Sequence, residues 1–132
     1  MSNETEKLTI NLGVVELAQI DVLVEQGIYS NRSDLIRTAI RKQLEIHKEK
    51  VERLVIPNAD VRGIGITSLS KEGLKGLFEA NGERPIKIDV IGMLRIADDI
   101  STELFTKTVS RVSIRGKLVA PAEIKMLIEG MK

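Results

Sequence analysis

The chain has 132 residues, with 20 Lys and Arg against 19 Asp and Glu, a formal net charge of +1 and no cysteine. That length suits one ordinary domain or two small ones, and without thiols there is neither a disulfide framework nor a thiolate metal site. No apolar run approaches the roughly 20 residues of a membrane span, the Asn- and Glu-rich start is unlike a signal peptide, and the near-neutral charge gives no global argument for nucleic acid.

Residues 1–6 are polar and are expected to form a disordered tail. Lys7-Leu8-Thr9-Ile10-Asn11-Leu12 then alternates, with Leu8, Ile10 and Leu12 on one face and Lys7, Thr9 and Asn11 on the other. Six residues make no stable strand alone, because a lone strand leaves its backbone groups unpaired. The simplest partner is the same strand of a second chain. The resulting two-stranded antiparallel ribbon would have one apolar face and one polar face, at a width that enters the DNA major groove.

Val14–Gln26 follows with Leu17, Ile20, Leu23 and Val24 at helical spacing, and Gly27 suits the position just past a helix end. Tyr29-Ser30-Asn31-Arg32-Ser33-Asp34 reads as a second helix start. Ser30 or Asn31 would cap it, and Asp34 would sit in the first turn, where a carboxylate favours the dipole. Leu35, Ile36, Ala39, Ile40 and Leu44 form its apolar stripe. The helix is expected to run on through His47-Lys48-Glu49-Lys50 towards Leu54, with Pro57 ending it and residues 55–60 acting as a hinge.

From Val61 the texture changes to short β-branched runs punctuated by glycine. Ile88-Asp89-Val90-Ile91-Gly92-Met93-Leu94 aligns without a gap to Val112-Ser113-Ile114-Arg115-Gly116-Lys117-Leu118, an offset of 24 residues. The likeness continues from Asp99-Ile100 to Glu123-Ile124 and from Leu104 to Ile128, and a degenerate third copy starts near Ile64-Gly65-Ile66 with slipped register. Each copy reads as a strand, a glycine bend and a short helix or second apolar edge, in the size range of stacking repeat units. The fold class expected is α+β, with a strand-helix-helix unit at 7–54 and a β-rich α/β repeat module of about 24-residue period at 61–132.

The strand-helix-helix segment resembles the ribbon-helix-helix repressors of the MetJ/Arc/CopG type. The likeness rests on Lys7 to Leu12, the short helix after it, Gly27, and Tyr29 to Arg37, about a third of the chain. It implies an intertwined homodimer on double-stranded DNA. Lys7, Thr9 and Asn11 would be the base readers, the amide of Asn11 suiting adenine and the ammonium of Lys7 suiting guanine. Ser30, Asn31, Arg32 and Ser33 would hold a phosphate at the start of the second helix. Leu8, Ile10, Leu12, Leu17, Ile20, Leu23, Leu35, Ile36, Ala39 and Ile40 would form the dimer core. Gly13 departs from the family pattern, which often has a Pro or a capping residue there, so the first helix is expected to start a residue or two late.

The plainer readings stay open beside these. Thr9 and Asn11 also suit the solvent face of an edge strand, and Ser30–Asp34 suits a mere cap. Arg37, Arg41 and Lys42 suit a solvated helix face, and residues 1–54 carry eight Lys and Arg against nine Asp and Glu. Only Tyr29, Phe78 and Phe105 are aromatic, too few for a single-strand binder that stacks bases.

A leading ribbon-helix-helix in a chain of this length invites comparison with nickel-responsive regulators. With His47 as the sole histidine and no cysteine, however, no nitrogen or sulfur metal site can be assembled from one chain. Asp98 and Asp99 suit a turn better than a cation, since Glu123 occupies the position equivalent to Asp99. Gly63-Ile64-Gly65 lacks the rest of a dinucleotide fingerprint, and the repeat bend is reason enough for Gly92 and Gly116. No nucleophile–base pair is present, so no enzyme and no cofactor are expected. The reading is a cytoplasmic, homodimeric, sequence-specific transcriptional regulator, a repressor on a palindromic operator. Residues 61–132 would serve oligomerisation, as a dimer of dimers, or a protein partner. Alternatives are an antitoxin and a scaffold protein that uses the ribbon only to dimerise.

Overall fold

A computed structural model describes residues 5–54 and 59–131. Of the tail expected at residues 1–6, residues 1–4 lie outside the described residues, as do residues 55–58 of the hinge expected at 55–60, Pro57 among them. Two compact units divide the chain, residues 1–48 and 49–132.

In the first unit, residues 5–13 carry no strand pairing within the chain. Helix α1 spans Val14–Glu25, with Gly13 as an extended N-cap that supplies no side-chain bond. Its far end is a Schellman turn. The Ile28 N–H donates to the Leu23 carbonyl at 3.1 Å and the Gly27 N–H to Val24 at 3.0 Å, with Gly27 in the left-handed region at φ 75°, where a Cβ would be strained. Helix α2 spans Arg32–Ile46 and stops at His47, where one helix towards Leu54 was expected; a separate short helix α3, Lys48–Arg53, lies across the boundary and mostly in the second unit. Neither α1 nor α2 has a buried residue.

The second unit alternates strand and helix: β1 Val61–Leu69, α4 Lys71–Ala80, β2 Ile86–Ile96, α5 Thr102–Thr108, β3 Val109–Val119 and α6 Ala122–Gly130. The strands are all parallel, in the order β1-β2-β3. Parallel neighbours need a crossover, and a helix is the usual one. Ser70 and Ser101 start α4 and α5 by accepting from the N–H groups of Gly73 and Leu104 at 3.0 and 3.1 Å, which satisfies donors that the helix itself cannot. Leu74 of α4, Phe105 of α5, and Ile124 and Ile128 of α6 pack on Ile86, Ile88, Val90, Leu94 and Ile96 of β2 in one core. Lys107 adds a cation over the Phe78 ring, 5.7 Å from its centroid, linking α5 to α4. Asp98 and Asp99 form a turn, closed by the Ile100 N–H on the Ala97 carbonyl at 3.3 Å.

The repeat copies depart from expectation at the glycines. A bend ending each strand was expected, yet β2 and β3 run straight through Gly92 and Gly116. In register, Gly65 lies beside Gly92, and Gly92 beside Gly116. All three have positive φ, at 117°, 131° and 140°. A Cβ on Gly92 would fall on the carbonyl oxygen of Gly65, and one on Gly116 on that of Gly92. The missing side chains let each carbonyl lean into its neighbour while the ladder continues on both sides. The Gly65–Gly92 spacing is 27 residues, because residues 81–85 separate α4 from β2 whereas α5 leads directly into β3.

Alanine at Gly92 or Gly116 meets both the φ penalty and a backbone clash, so each variant is expected to lose about 3 kcal/mol or more of unfolding free energy. Alanine at Gly65, where a Cβ would meet nothing within 4 Å, is expected to lose only about 1–2 kcal/mol. Urea unfolding of the three variants would check the order.

Candidate nucleic-acid interface

The polar residues Lys7, Thr9 and Asn11 lie on an exposed segment that is neither helix nor strand. Their apolar counterparts are exposed too: Leu8 is 79 % exposed, Ile10 50 % and Leu12 37 %. Helix α1 continues the pattern with exposed Val14, Val15 and Val22, and α2 with exposed Ile40, Leu44 and Ile46. Among the other residues assigned to a dimer core, Leu17, Ile20, Leu23, Leu35 and Ile36 are half-buried between α1 and α2, and Ala39 is exposed. An isolated unit of this size with so much open apolar surface and no buried residue is not self-sufficient in water.

The start of α2 is built from short-range bonds. The Asn31 side-chain oxygen accepts from the Asp34 N–H at 2.8 Å, making Asn31 the N-cap. The Asp34 carboxylate turns back and accepts from both the N–H and the hydroxyl of Ser30, at 3.0 and 3.1 Å. Those bonds occupy the donors of Ser30 and Asp34. The N–H groups of Arg32 and Ser33 remain as donors at the positive end of the helix, where an anion is favoured.

Arg32 is not a free charge here. Its guanidinium makes a two-pronged bond to Asp21 of α1, at 2.7 and 2.8 Å, the strong geometry for this pair. The hydrogen bond from Arg32, reinforced by its charge, holds the Asp21 carboxyl below the usual carboxylate range, and the same contact raises Arg32. Sequence reasoning placed Arg32 correctly at the helix start but missed Asp21. The available signal was an acidic residue among the apolar positions of α1, set back from Gly27 about as far as Arg32 is set forward.

An exposed segment of alternating polar and apolar residues, followed by two helices of which the second has open N–H groups at its start, makes up the first unit. The chain belongs to the ribbon-helix-helix transcriptional regulator family, whose model it matches over residues 3–125. Regulators of this class bind DNA and dimerise. The chain is also 31 % identical over 45 residues to the transcriptional regulator CdrS of Halobacterium salinarum, a match covering 34 % of this chain and 82 % of that protein. No solved structure matches. Among the described residues, no helix is long and apolar enough to cross a membrane.

Replacing Asn31 with Ala is expected to cost about 1 kcal/mol through loss of the cap, read by thermal or urea unfolding. Because the Asp21 pKa is depressed in the folded state, the brace between α1 and α2 is fully present above the ordinary carboxylate range. It is lost as pH falls through the lowered value. An acid titration followed by NMR should show this transition, and the Asp21→Asn variant should lack it.

Proposed function

We propose that two copies pair their Lys7–Leu12 segments as an antiparallel ribbon that lies in the major groove of double-stranded DNA. Leu8, Ile10 and Leu12 turn into a core shared with α1 and α2 of both chains, and Lys7, Thr9 and Asn11 face the bases. The N–H groups of Arg32 and Ser33 hold a phosphate on each side and set the register of the protein on the duplex. Two-fold symmetry directs the dimer to a palindromic site, and bound there it acts as a repressor. The carrying observation is the exposure of Leu8, Ile10 and Leu12 in a unit whose helices bury nothing. The second unit serves assembly. Its own core of Leu74, Phe105, Ile124 and Ile128 weighs against an antitoxin tail that stays unfolded until bound.

The base-reading residues are tested by selecting genomic fragments with the purified protein, beside a Lys7/Thr9/Asn11 triple-alanine variant. The wild type is expected to recover a palindromic site. The variant should remain dimeric by sedimentation and lose that preference, since each good base contact is worth about 1–3 kcal/mol of discrimination. Random recovery by both proteins would overturn the reading. The role of Arg32 is tested by Asp21→Asn, which frees a cation beside the bound phosphate. The slope of log affinity against log salt is then expected to steepen by about one unit.

A further inference from the structure

The strands of the second unit hold seven charged residues, and six of them are cations. All seven share one side of the sheet. Ile88, Val90, Leu94 and Ile96 of β2 and Val112 of β3 point into the core under the helices. Strand alternation turns Lys87, Asp89 and Arg95 the other way, and with them Arg111, Arg115 and Lys117. Arg62 joins them, lying beside Asp89 in register. Helices α4, α5 and α6 together carry four lysines against five glutamates. The near-neutral chain thus conceals a cationic sheet face.

The two halves of this face differ. Towards β1, acids answer the cations: buried Asp89 lies beside Arg62, and Glu52 of α3 borders the same hollow as Arg62 and Ile64. Arg62 and Arg95 are already engaged. Strand β3 has no carboxylate. Lys87 stands beside Arg111, and Arg115 and Lys117 follow beside Ile91 and Met93. Lys87, Arg111 and Arg115 are exposed and Lys117 is half-buried. Among the described residues, none of these four makes an ion pair. Like charges gathered this way repel, and an anion laid along them relieves that cost.

We infer that Lys87, Arg111, Arg115 and Lys117 form a second DNA contact, a row that holds the phosphate backbone of the duplex outside the bases read by the first unit. The inference rests on the DNA-binding reading above. From Arg111 to Lys117 the strand runs about 20 Å, a length that suits a polymer of regular negative charge and not one small anion. No aromatic residue stands on the strands, so single-stranded bases have no stacking platform there. A lipid surface is bound through large apolar side chains among the cations. Here the exposed isoleucines Ile64 and Ile66 lie on β1, two strands from the row, with Val119 at the end of β3. Residues 1–54 carry eight Lys and Arg against nine Asp and Glu, and Asp21 takes up Arg32. The row supplies the counterion release that the first unit lacks. Being in the same chain, it meets DNA already held at high effective concentration.

The test titrates the full chain with the selected operator and with random duplex over a range of salt. Arg111→Gln/Arg115→Gln/Lys117→Gln is expected to bind both more weakly at an unchanged operator preference. Its slope of log affinity against log salt should be shallower by about 0.9 per lost phosphate contact, roughly three units for one copy's row. Lys71→Gln/Lys75→Gln/Lys125→Gln on the helices removes the same charge and should keep the slope, as should the conservative Arg111→Lys/Arg115→Lys. Circular dichroism and sedimentation check fold and dimer. Acetylation of the wild type needs no variant: duplex should shield Lys87 and Lys117 and leave Lys71 and Lys125 reactive. An unchanged slope in a folded glutamine variant that still selects its operator overturns the inference alone, as does absent shielding. Equal loss of slope in the helix variant also overturns it, by tracing the effect to net charge. So does loss of binding to phosphatidylserine vesicles at an unchanged DNA slope, which assigns the row to lipid. A wild type that binds no duplex removes the DNA-binding reading as well.

Discussion

Leucine, isoleucine and valine side chains left in water forgo about 25 cal/mol for every Å² they could bury, and the first unit leaves Leu8, Ile10, Val14, Val15 and Leu44 in that position. Helix α1 is apolar on nearly every side, a composition suited to an interior and not to a surface. Residues 5–13 add a second unmet demand, since an extended segment without a ladder leaves its peptide groups to solvent. In the proposed dimer both demands are met by one event, association with another chain, which also forms the DNA-reading surface. Binding and assembly are thus a single problem in this unit.

The second unit answers the same demands within the chain. Its strands pair with one another, and its helices close over one face. The close approach of backbones at Gly92 and Gly116 lets three strands stay in register where a side chain at either would force them apart. The regularity has a consequence: a sequential order with crossovers of one hand cannot cover both faces, however good the core. The other side carries half-exposed Ile64 and Ile66 among the charges of Arg62, Asp89, Arg95, Arg115 and Lys117.

Electrostatics at the reading surface are restrained. The Asp21–Arg32 pair cancels a charge at the start of α2, and Asp34 is folded back on Ser30. In the proposed complex, phosphate is therefore met by oriented N–H dipoles rather than by net charge. Such a surface gains less affinity from counterion release than a basic one would. In that proposal more of the discrimination comes from hydrogen bonds made by Lys7, Thr9 and Asn11. The near balance of charge in residues 1–54, which looked like an argument against DNA, fits a protein that binds by shape and hydrogen bonding.

Much of the first unit was legible in the sequence because its signals are local. The alternation of Lys7 to Leu12, the stop at Gly27, the cap at Asn31 and the first-turn Asp34 each depend on neighbours within a few residues. The helix starting at Val14 follows the same logic. Legibility ended where partners lie far apart along the chain. The pairing of Arg32 with Asp21 depends on how two helices meet, and the alignment of Gly65 with Gly92 depends on connections of unequal length. Glycines that suggested turns proved to lie inside strands, since residue type reports conformational freedom and not what approaches it. By itself, then, the sequence determined the first two helices, the cap at the start of the second and the class of regulator, whereas the strand expected at Lys7–Leu12 finds no ladder within the chain. Tertiary structure alone decided which charges are neutralised, which glycines stand in a row and which sheet face α4, α5 and α6 cover, because those are properties of distances between segments and not of any segment alone.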